Sequence, residues 1–130
     1  MYEGNHLAQL LRLASAAQSE RVFATKLDNS VISYQTFFDG ADAIAKVLIS
    51  KGVKPNDRVA VQVDKSIEAL QLYIATVLAG AVFLPLNTAY TPSEISYFIE
   101  DASPHLFVCD PSSFTKLAPV VKSLGVFAVE

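Results

Sequence analysis

The chain has 130 residues, of which 52% are hydrophobic and 18% charged, and its formal net charge is -3. This length allows one domain with a core, and the apolar content excludes a disordered chain. Scattered lysines and arginines offer no patch for nucleic acid, and charges or prolines interrupt every apolar run before it could span a membrane. A single cysteine and a start without signal-peptide features predict a cytoplasmic protein without a disulfide.

The first predicted element is an amphipathic helix over residues 5–17, with Asn5 as its cap. We expect this helix to lie on the domain through one apolar stripe. The stripe consists of Leu7, Leu10, Leu11, Leu13 and Ala14. A helix on a membrane surface would show the same spacing, but a polar face with only Gln9 and Arg12 supplies too few cations for that role.

A hairpin and a long helix come next. Residues 21–27 and 30–34 are weakly alternating runs joined by Asp28-Asn29, which predicts two short antiparallel strands. Ser33 is predicted to cap a helix that runs to Lys51 and is stopped by Gly52. One stripe of this helix is expected to be buried: Tyr34, Phe37, Phe38, Ala41, Ile44, Ala45, Leu48 and Ile49.

The valine-rich run at residues 58–63 predicts a central strand, and residues 66–79 predict the helix that follows it. This helix is apolar on nearly all sides, so we expect it to be covered on nearly all sides. Its predicted core residues are Leu70, Ile74 and Val77.

Gly80 is predicted to end that helix, because glycine readily takes the left-handed conformation found there. Residues 82–86 then form a short apolar run closed by Asn87. This run predicts a second central strand, buried on both faces.

The last third of the chain predicts two more helix–strand units. Residues 91–94 read Thr-Pro-Ser-Glu, which is a capping box with proline at the first helical position. A strand at residues 106–109, a helix from Pro111 or Ser112 to Leu124, and a strand at residues 126–129 follow.

Strand and helix therefore alternate from residue 57 to the end. Such alternation predicts an α/β domain with three layers, in which helices cover both faces of a largely parallel sheet. We expect residues 1–130 to form one domain.

Several chemical sites are excluded by the sequence. Its five glycines are isolated, so no phosphate-binding glycine-rich loop is present. His6 and His105 have no further ligand near them, so no metal site is predicted. Ser66 beside Lys65 is interpreted as a helix cap rather than a nucleophile, and Cys109 as a small buried hydrophobe.

Two stretches resemble a known family. Residues 77–87, VLAGAVFLPLN, resemble the second core motif of the adenylate-forming enzymes, which include acyl-CoA synthetases, luciferases and peptide-synthetase adenylation domains. Residues 33–38, SYQTFF, resemble the first core motif, with Phe37 where leucine is more usual. The run LPLNTAYTP at residues 84–92 is most similar to malonyl-CoA synthetases and their relatives.

The resemblance implies that the chain is the N-terminal portion of the large AMP-binding domain of a longer acid–CoA ligase. It implies ATP, Mg²⁺ and coenzyme A as cofactors, and malonate, methylmalonate or another short carboxylic acid as substrate. The family's phosphate loop and catalytic lysine lie downstream of the matched region. No catalytic residue is therefore assigned here, and the 130 residues alone are expected to be inactive.

Substrate-binding candidates are Asn87, Thr88 and Tyr90, which follow a predicted strand at the edge where open α/β sheets place ligands. The alternative interpretation is that Asn87 and Thr88 form a turn and Tyr90 packs as an ordinary aromatic residue.

A second hypothesis for the whole chain is a free-standing α/β module that binds a nucleotide or a partner without catalysis. A response-regulator-like domain is disfavoured, because no paired acidic residues precede a strand.

Overall fold

The structure is a computed structural model that describes residues 6–130. The proposed cap Asn5 lies outside the described residues. The helices are α1 His6–Ala16, α2 Tyr34–Ser50, α3 Ile67–Leu78, α4 Pro92–Ala102 and α5 Pro111–Ser123. The strands are β1 Val22–Thr25, β2 Val31–Ser33, β3 Arg58–Gln62, β4 Val82–Pro85, β5 Leu106–Cys109 and β6 Phe127–Val129.

Four strands form one parallel sheet in the order β4-β3-β5-β6. Buried residues of α2 and α3 pack on one face of it, and those of α4 and α5 pack on the other. The predicted three-layer α/β fold is confirmed. Strands β1 and β2 form the predicted antiparallel hairpin as a separate two-stranded sheet.

Helix ends follow the local signals in the sequence. The side chains of Ser33, Ser66 and Thr91 accept hydrogen bonds from backbone N–H groups of α2, α3 and α4. Gly80 has φ 75°, and the next residue, Ala81, donates back to the carbonyl oxygen of Thr76 at 3.0 Å. This closure directs the chain from α3 into β4, as predicted.

The position predicted for β4 is wrong. It is one of the two edge strands of the four-stranded sheet, and its residues are exposed or half-buried, whereas Val59 and Ala60 of β3 are fully buried. The amides of Val82 and Leu86 donate to the carbonyl oxygens of Asp57, just before β3, and of Val61 in β3, each at 2.8 Å. In the alternation of a strand, Phe83 and Pro85 direct their backbone groups outward, so the Pro85 nitrogen, which has no hydrogen, lies where no ladder bond is needed.

The predicted burial of α3 is only partly confirmed. Ile74 and Val77 are buried at 5% and 8% exposure, but Leu70 is 51% exposed and is not a core residue. Tyr73 is 37% exposed on the same side. The physical reason is the edge position of β4, because no described element lies beyond it to cover this side of the helix.

The leucine stripe predicted to pack α1 onto the domain faces solvent instead. Leu10 and Leu13 are 61% and 73% exposed, whereas Ala8 and Ser15 are buried. The small side chains of Ala8 and Ser15 allow α1 to pack closely on the domain. Arg12 lies on the same face of α1 and pairs with Asp42 of α2. Among residues 6–130, no helix has the length and hydropathy to cross a bilayer.

Candidate functional site

The carboxyl ends of β3 and β4 border an open cavity of about 700 Å³. Open parallel sheets place ligands at this edge. The last residue of β4 and the segments that follow the two strands line the cavity: Val63, Asp64, Lys65, Pro85, Leu86, Asn87 and Thr88.

Asn87 and Thr88 are brought together at this cavity, and both are exposed. The Asn87 Oδ1 atom accepts a hydrogen bond from the Ala89 N–H at 2.9 Å, and the Asn87 carbonyl oxygen accepts one from Tyr90 N–H at 3.0 Å. Asn87 therefore closes a turn with its side chain, and Thr88 lies within that turn at the cavity.

Tyr90 is placed away from the cavity lining. Its ring stacks on Phe98 of α4 with centroids 5.0 Å apart, and it packs against the apolar cluster under α4 and α5. Its ring thus anchors the segment between β4 and α4. The turn and packing contacts of Asn87 and Tyr90 agree with the alternative interpretation of these residues.

Gln62 holds this segment and was missed by the sequence analysis. It is the last residue of β3 and is 3% exposed. Its Nε2 atom donates to the carbonyl oxygen of Asn87 at 2.8 Å and lies 3.5 Å from that of Tyr90. A glutamine in an otherwise apolar central strand is the signal that could have identified it, because a buried amide needs a partner.

The charges at this edge are mixed. The N–H of Asp64 donates to the Asp110 carboxylate at 2.8 Å, which ties the end of β3 to the start of α5. Lys65 is the only cation in the cavity lining, and among the described residues it forms no ion pair. A single lysine beside Asp64 is able to pair one carboxylate or phosphate group but not to orient a triphosphate.

No metal-binding cluster of histidine, cysteine or carboxylate side chains exists within residues 6–130. Cys109 is 1% exposed, as predicted for a small buried residue. Burial raises the pKa of its thiol to about 11, with help from the nearby charges of Asp110 and Glu130. The thiol therefore stays protonated at neutral pH and is not a nucleophile.

A second cavity of about 450 Å³ opens between α2, α3 and the ends of β5 and β6. Its walls are mainly aliphatic, and its carboxylates come from Glu68, Asp110 and Glu130. An apolar, acidic lining does not suit a phosphate group.

Arg58 and His105 lie at the opposite edge of the sheet, as expected from their positions at strand starts. Arg58 donates to the carbonyl oxygen of Ala102 at 3.0 Å. The His105 ring lies 3.2 Å from the Lys51 carbonyl oxygen and 3.6 Å from the Asp57 carboxylate. Both side chains thus take part in structural contacts remote from the candidate site.

Comparisons with known proteins assign the chain to a family. The family model described as "AMP-binding enzyme" matches residues 11–128. The crystal structure of apo MatB from Rhodopseudomonas palustris superimposes with a TM-score of 0.84 at 41% identity, over 93% of this chain and 24% of that chain. A structure of the same protein with ATP bound gives the same values.

Peptide synthetases are also related to the chain. The dimodular nonribosomal peptide synthase of Bacillus subtilis is 30% identical over 105 residues, which is 81% of this chain and 4% of that protein. Enterobactin synthase component F of Escherichia coli is 33% identical over 90 residues, which is 69% of this chain and 7% of that protein. The chain thus spans only a small part of its relatives.

Proposed function

The chain belongs to the AMP-binding, adenylate-forming enzyme family, and from this membership we propose that it is the N-terminal portion, residues 1–130, of the large domain of a cytoplasmic acid–CoA ligase. In the first step of the proposed reaction a carboxylate oxygen of the acid attacks the α-phosphorus of ATP, and pyrophosphate leaves. The thiol of coenzyme A then attacks the acyl carbon, and AMP leaves. ATP, Mg²⁺ and coenzyme A are the proposed cofactors of the whole protein, which we call the parent.

The 41% identity to MatB over 93% of the chain is the observation that carries this proposal. The run at residues 84–92, with its similarity to malonyl-CoA synthetases, supports malonate or methylmalonate as the acid. Binding the second carboxylate of such an acid needs a cation. We assign that role to no residue of this chain; Lys65, the only cation in the cavity lining, lies beside the carboxylate of Asp64.

Asn87 and Thr88 are proposed to face the substrate side of the sheet, since both line the cavity at the strand ends. Tyr90 is proposed to act through its packing on Phe98, which fixes the turn that presents them. None of these residues is proposed to be catalytic.

A peptide-synthetase adenylation domain is the second candidate, because two synthases are at least 30% identical over more than two thirds of the chain. Such a domain would activate an amino acid rather than malonate. The free-standing, non-catalytic module requires a reading frame that ends with this chain, whereas both enzyme candidates require one several times longer.

Pyrophosphate release by the purified parent tests the proposal. We would supply malonate, methylmalonate, longer acids and a panel of amino acids, each with ATP and Mg²⁺, and then measure thioester formation with coenzyme A. We expect release with a short dicarboxylic acid and thioester formation. Release with amino acids alone would favour the second candidate, and no release with any acid would contradict the ligase function.

A further inference from the structure

The residue before α5 behaves differently from the other helix caps in the described part of the chain. Ser33, Ser66 and Thr91 each accept a hydrogen bond from a backbone N–H of the helix that they cap. Asp110 occupies the same position before α5, and aspartate is a preferred residue there. Its side chain nevertheless makes no hydrogen bond to α5.

The carboxylate of Asp110 bonds instead to a segment that is distant in the sequence. Its Oδ2 atom accepts a hydrogen bond from the backbone N–H of Asp64 at 2.8 Å, across 46 positions. A hydrogen bond to an ionised carboxylate is stronger than one between neutral groups. The N–H of Ser113, which a capping side chain would normally accept, donates to the Asp110 carbonyl oxygen at 2.9 Å. The start of α5 is therefore closed by the backbone, and the carboxylate serves another contact.

The Asp64 N–H lies in the middle of a short loop. Residues 63–65 join the end of β3 to Ser66, the cap of α3. All three residues line the candidate site, and Lys65 is the only cation in its lining. The bond from Asp64 to Asp110 thus fixes the loop that presents Lys65 at the site.

We propose that Asp110 is a positioning residue for the proposed reaction. Its carboxylate holds the loop at residues 63–65 so that Lys65 meets one phosphate group of ATP or of coenzyme A. This inference rests on the proposed function, which supplies both substrates. Lysine pairs with a phosphate group as a point charge, so its position decides the strength of the contact. Proteins give up a local preference, such as an aspartate cap, mainly where a functional site requires it.

Steady-state kinetics of the parent test the inference. Asp110→Ala removes the acceptor of the Asp64 N–H, whereas Asp110→Asn keeps an oxygen that accepts it. With Asp110→Ala we expect the KM for ATP or for coenzyme A to rise about 10-fold at nearly constant kcat, because a displaced lysine loses a charged contact. With Asp110→Asn, both KM values should stay close to those of the original parent.

Asp57→Ala is the matched control. The Asp57 carboxylate accepts the backbone N–H of Lys54, also at 2.8 Å, but just before β3, at the opposite edge of the sheet. Both alanine variants lose one bond of the same kind, so both should lower the denaturation midpoint, while only Asp110→Ala should change a KM. Unchanged KM values in Asp110→Ala, or the same rise in Asp57→Ala, would overturn the inference. A rise in the KM for malonate alone would contradict the phosphate contact.

Hydrogen exchange of the parent tests the bond itself. The Asp64 amide is expected to exchange at least ~10-fold faster in Asp110→Ala than in the original parent or in Asp110→Asn, because the bond to the carboxylate protects it. Equal exchange in all three proteins would overturn the inference whatever the kinetics. A parent that releases no pyrophosphate with any acid contradicts the proposed function. An active parent with unchanged KM values in Asp110→Ala defeats this inference alone.

Discussion

The Nε2 atom of Gln62 donates to the carbonyl oxygen of Asn87 at 2.8 Å, and this contact joins the central strand of the sheet to the turn that lines the candidate site. Gln62 is nearly fully buried, whereas Asn87 is exposed. The geometry of an exposed turn is therefore set from inside the core. Because Asn87 Oδ1 is engaged by the Ala89 N–H, the turn is held at both its backbone and its side chain.

Gln62→Met keeps the side-chain length and removes the donor. We expect a loss of about 1–2 kcal/mol in the free energy of unfolding, because the Asn87 carbonyl oxygen keeps only its bond from Tyr90 N–H. Urea denaturation measures this loss. Gln35→Met is the control, since Gln35 is exposed and its side chain bonds to the exposed Asp39, and we expect it to change stability by less than about 0.5 kcal/mol. Equal stability of Gln62→Met and the original chain would show that the contact is unimportant.

Alanine substitutions along α3 are expected to destabilise the chain more on the buried side of the helix than on its exposed side. Ile74→Ala is expected to cost about 2–5 kcal/mol, the range for truncating a buried aliphatic side chain, with a smaller cost for Val77→Ala. Leu70→Ala is expected to cost about 1 kcal/mol or less in the 130-residue chain, because half of the side chain is already in water. Urea midpoints of the three variants measure the order, and a Leu70→Ala cost equal to that of Ile74→Ala would contradict the exposure of Leu70.

Local signals in the sequence predict the helices and strands of this fold. Which of them lie side by side is determined only by the structure. Caps such as Ser66 and Thr91 and the stop at Gly80 act within a few residues. The predicted helix ends therefore lie close to those of the structure. An apolar run of four or five residues is the same at the centre and at the edge of a sheet. Its pairing with β3 alone identifies β4 as an edge strand, and that pairing is visible only in the structure.

Side-chain spacing also leaves the buried face of α1 undetermined. The leucines form the stronger apolar stripe, but the face with Ala8 and Ser15 is buried, and Arg12 pairs with a residue 30 positions away. In the candidate site, too, some residues were predicted from the sequence and others were identified only in the structure. The strand-end rule led to Asn87 and Thr88, whereas the support from Gln62 depends on a contact across 25 positions.

Gly40 allows α2 and α3 to approach each other. A Cβ atom added at Gly40 would overlap the side-chain amide of Gln71, whose Nε2 atom donates to the Phe37 carbonyl oxygen at 3.1 Å. Gly40→Ala alone should change stability by less than about 1 kcal/mol, because the gain in helix propensity offsets the displacement of Gln71.

In a Gln71→Ala background, Gly40→Ala should stabilise the chain by about 0.5–1 kcal/mol, since the overlap is gone and the propensity gain remains. A double-mutant cycle by urea denaturation measures this difference. Additive effects of the two changes would rule out steric coupling between the helices.

The capping box of α4 predicts a pH dependence. The Glu94 carboxylate accepts hydrogen bonds from the N–H and hydroxyl groups of Thr91, each at 2.8 Å. The Thr91 N–H, followed by its hydroxyl, lowers the pKa of Glu94 from 4.5. A lowered pKa in the folded state means that the stabilisation is complete above pH 4.5 and is lost as the pH falls below it toward the folded-state pKa.

Glu94→Gln keeps a hydrogen-bond acceptor at the cap and removes the titration. Its unfolding free energy should therefore fall less steeply than that of the original chain as the pH is lowered through this window. Thermal unfolding of both proteins across the acid range measures the two slopes. Identical slopes would show that Glu94 has the same pKa in the folded and unfolded states.

The isolated 130-residue chain is expected to form no acyl-adenylate. Charge that develops on the α-phosphate must be met by fixed donors and cations, usually with a magnesium ion. The candidate site offers Lys65 alone, with the carboxylates of Asp64 and Asp110 near it, and Arg58 lies at the other edge of the sheet. We therefore expect weak or no binding of ATP–Mg²⁺ in calorimetry. Pyrophosphate release with malonate should be absent for the chain and present for the parent, which serves as the positive control. Carboxylate-dependent release by the purified 130-residue chain would mean that the reacting groups lie within it.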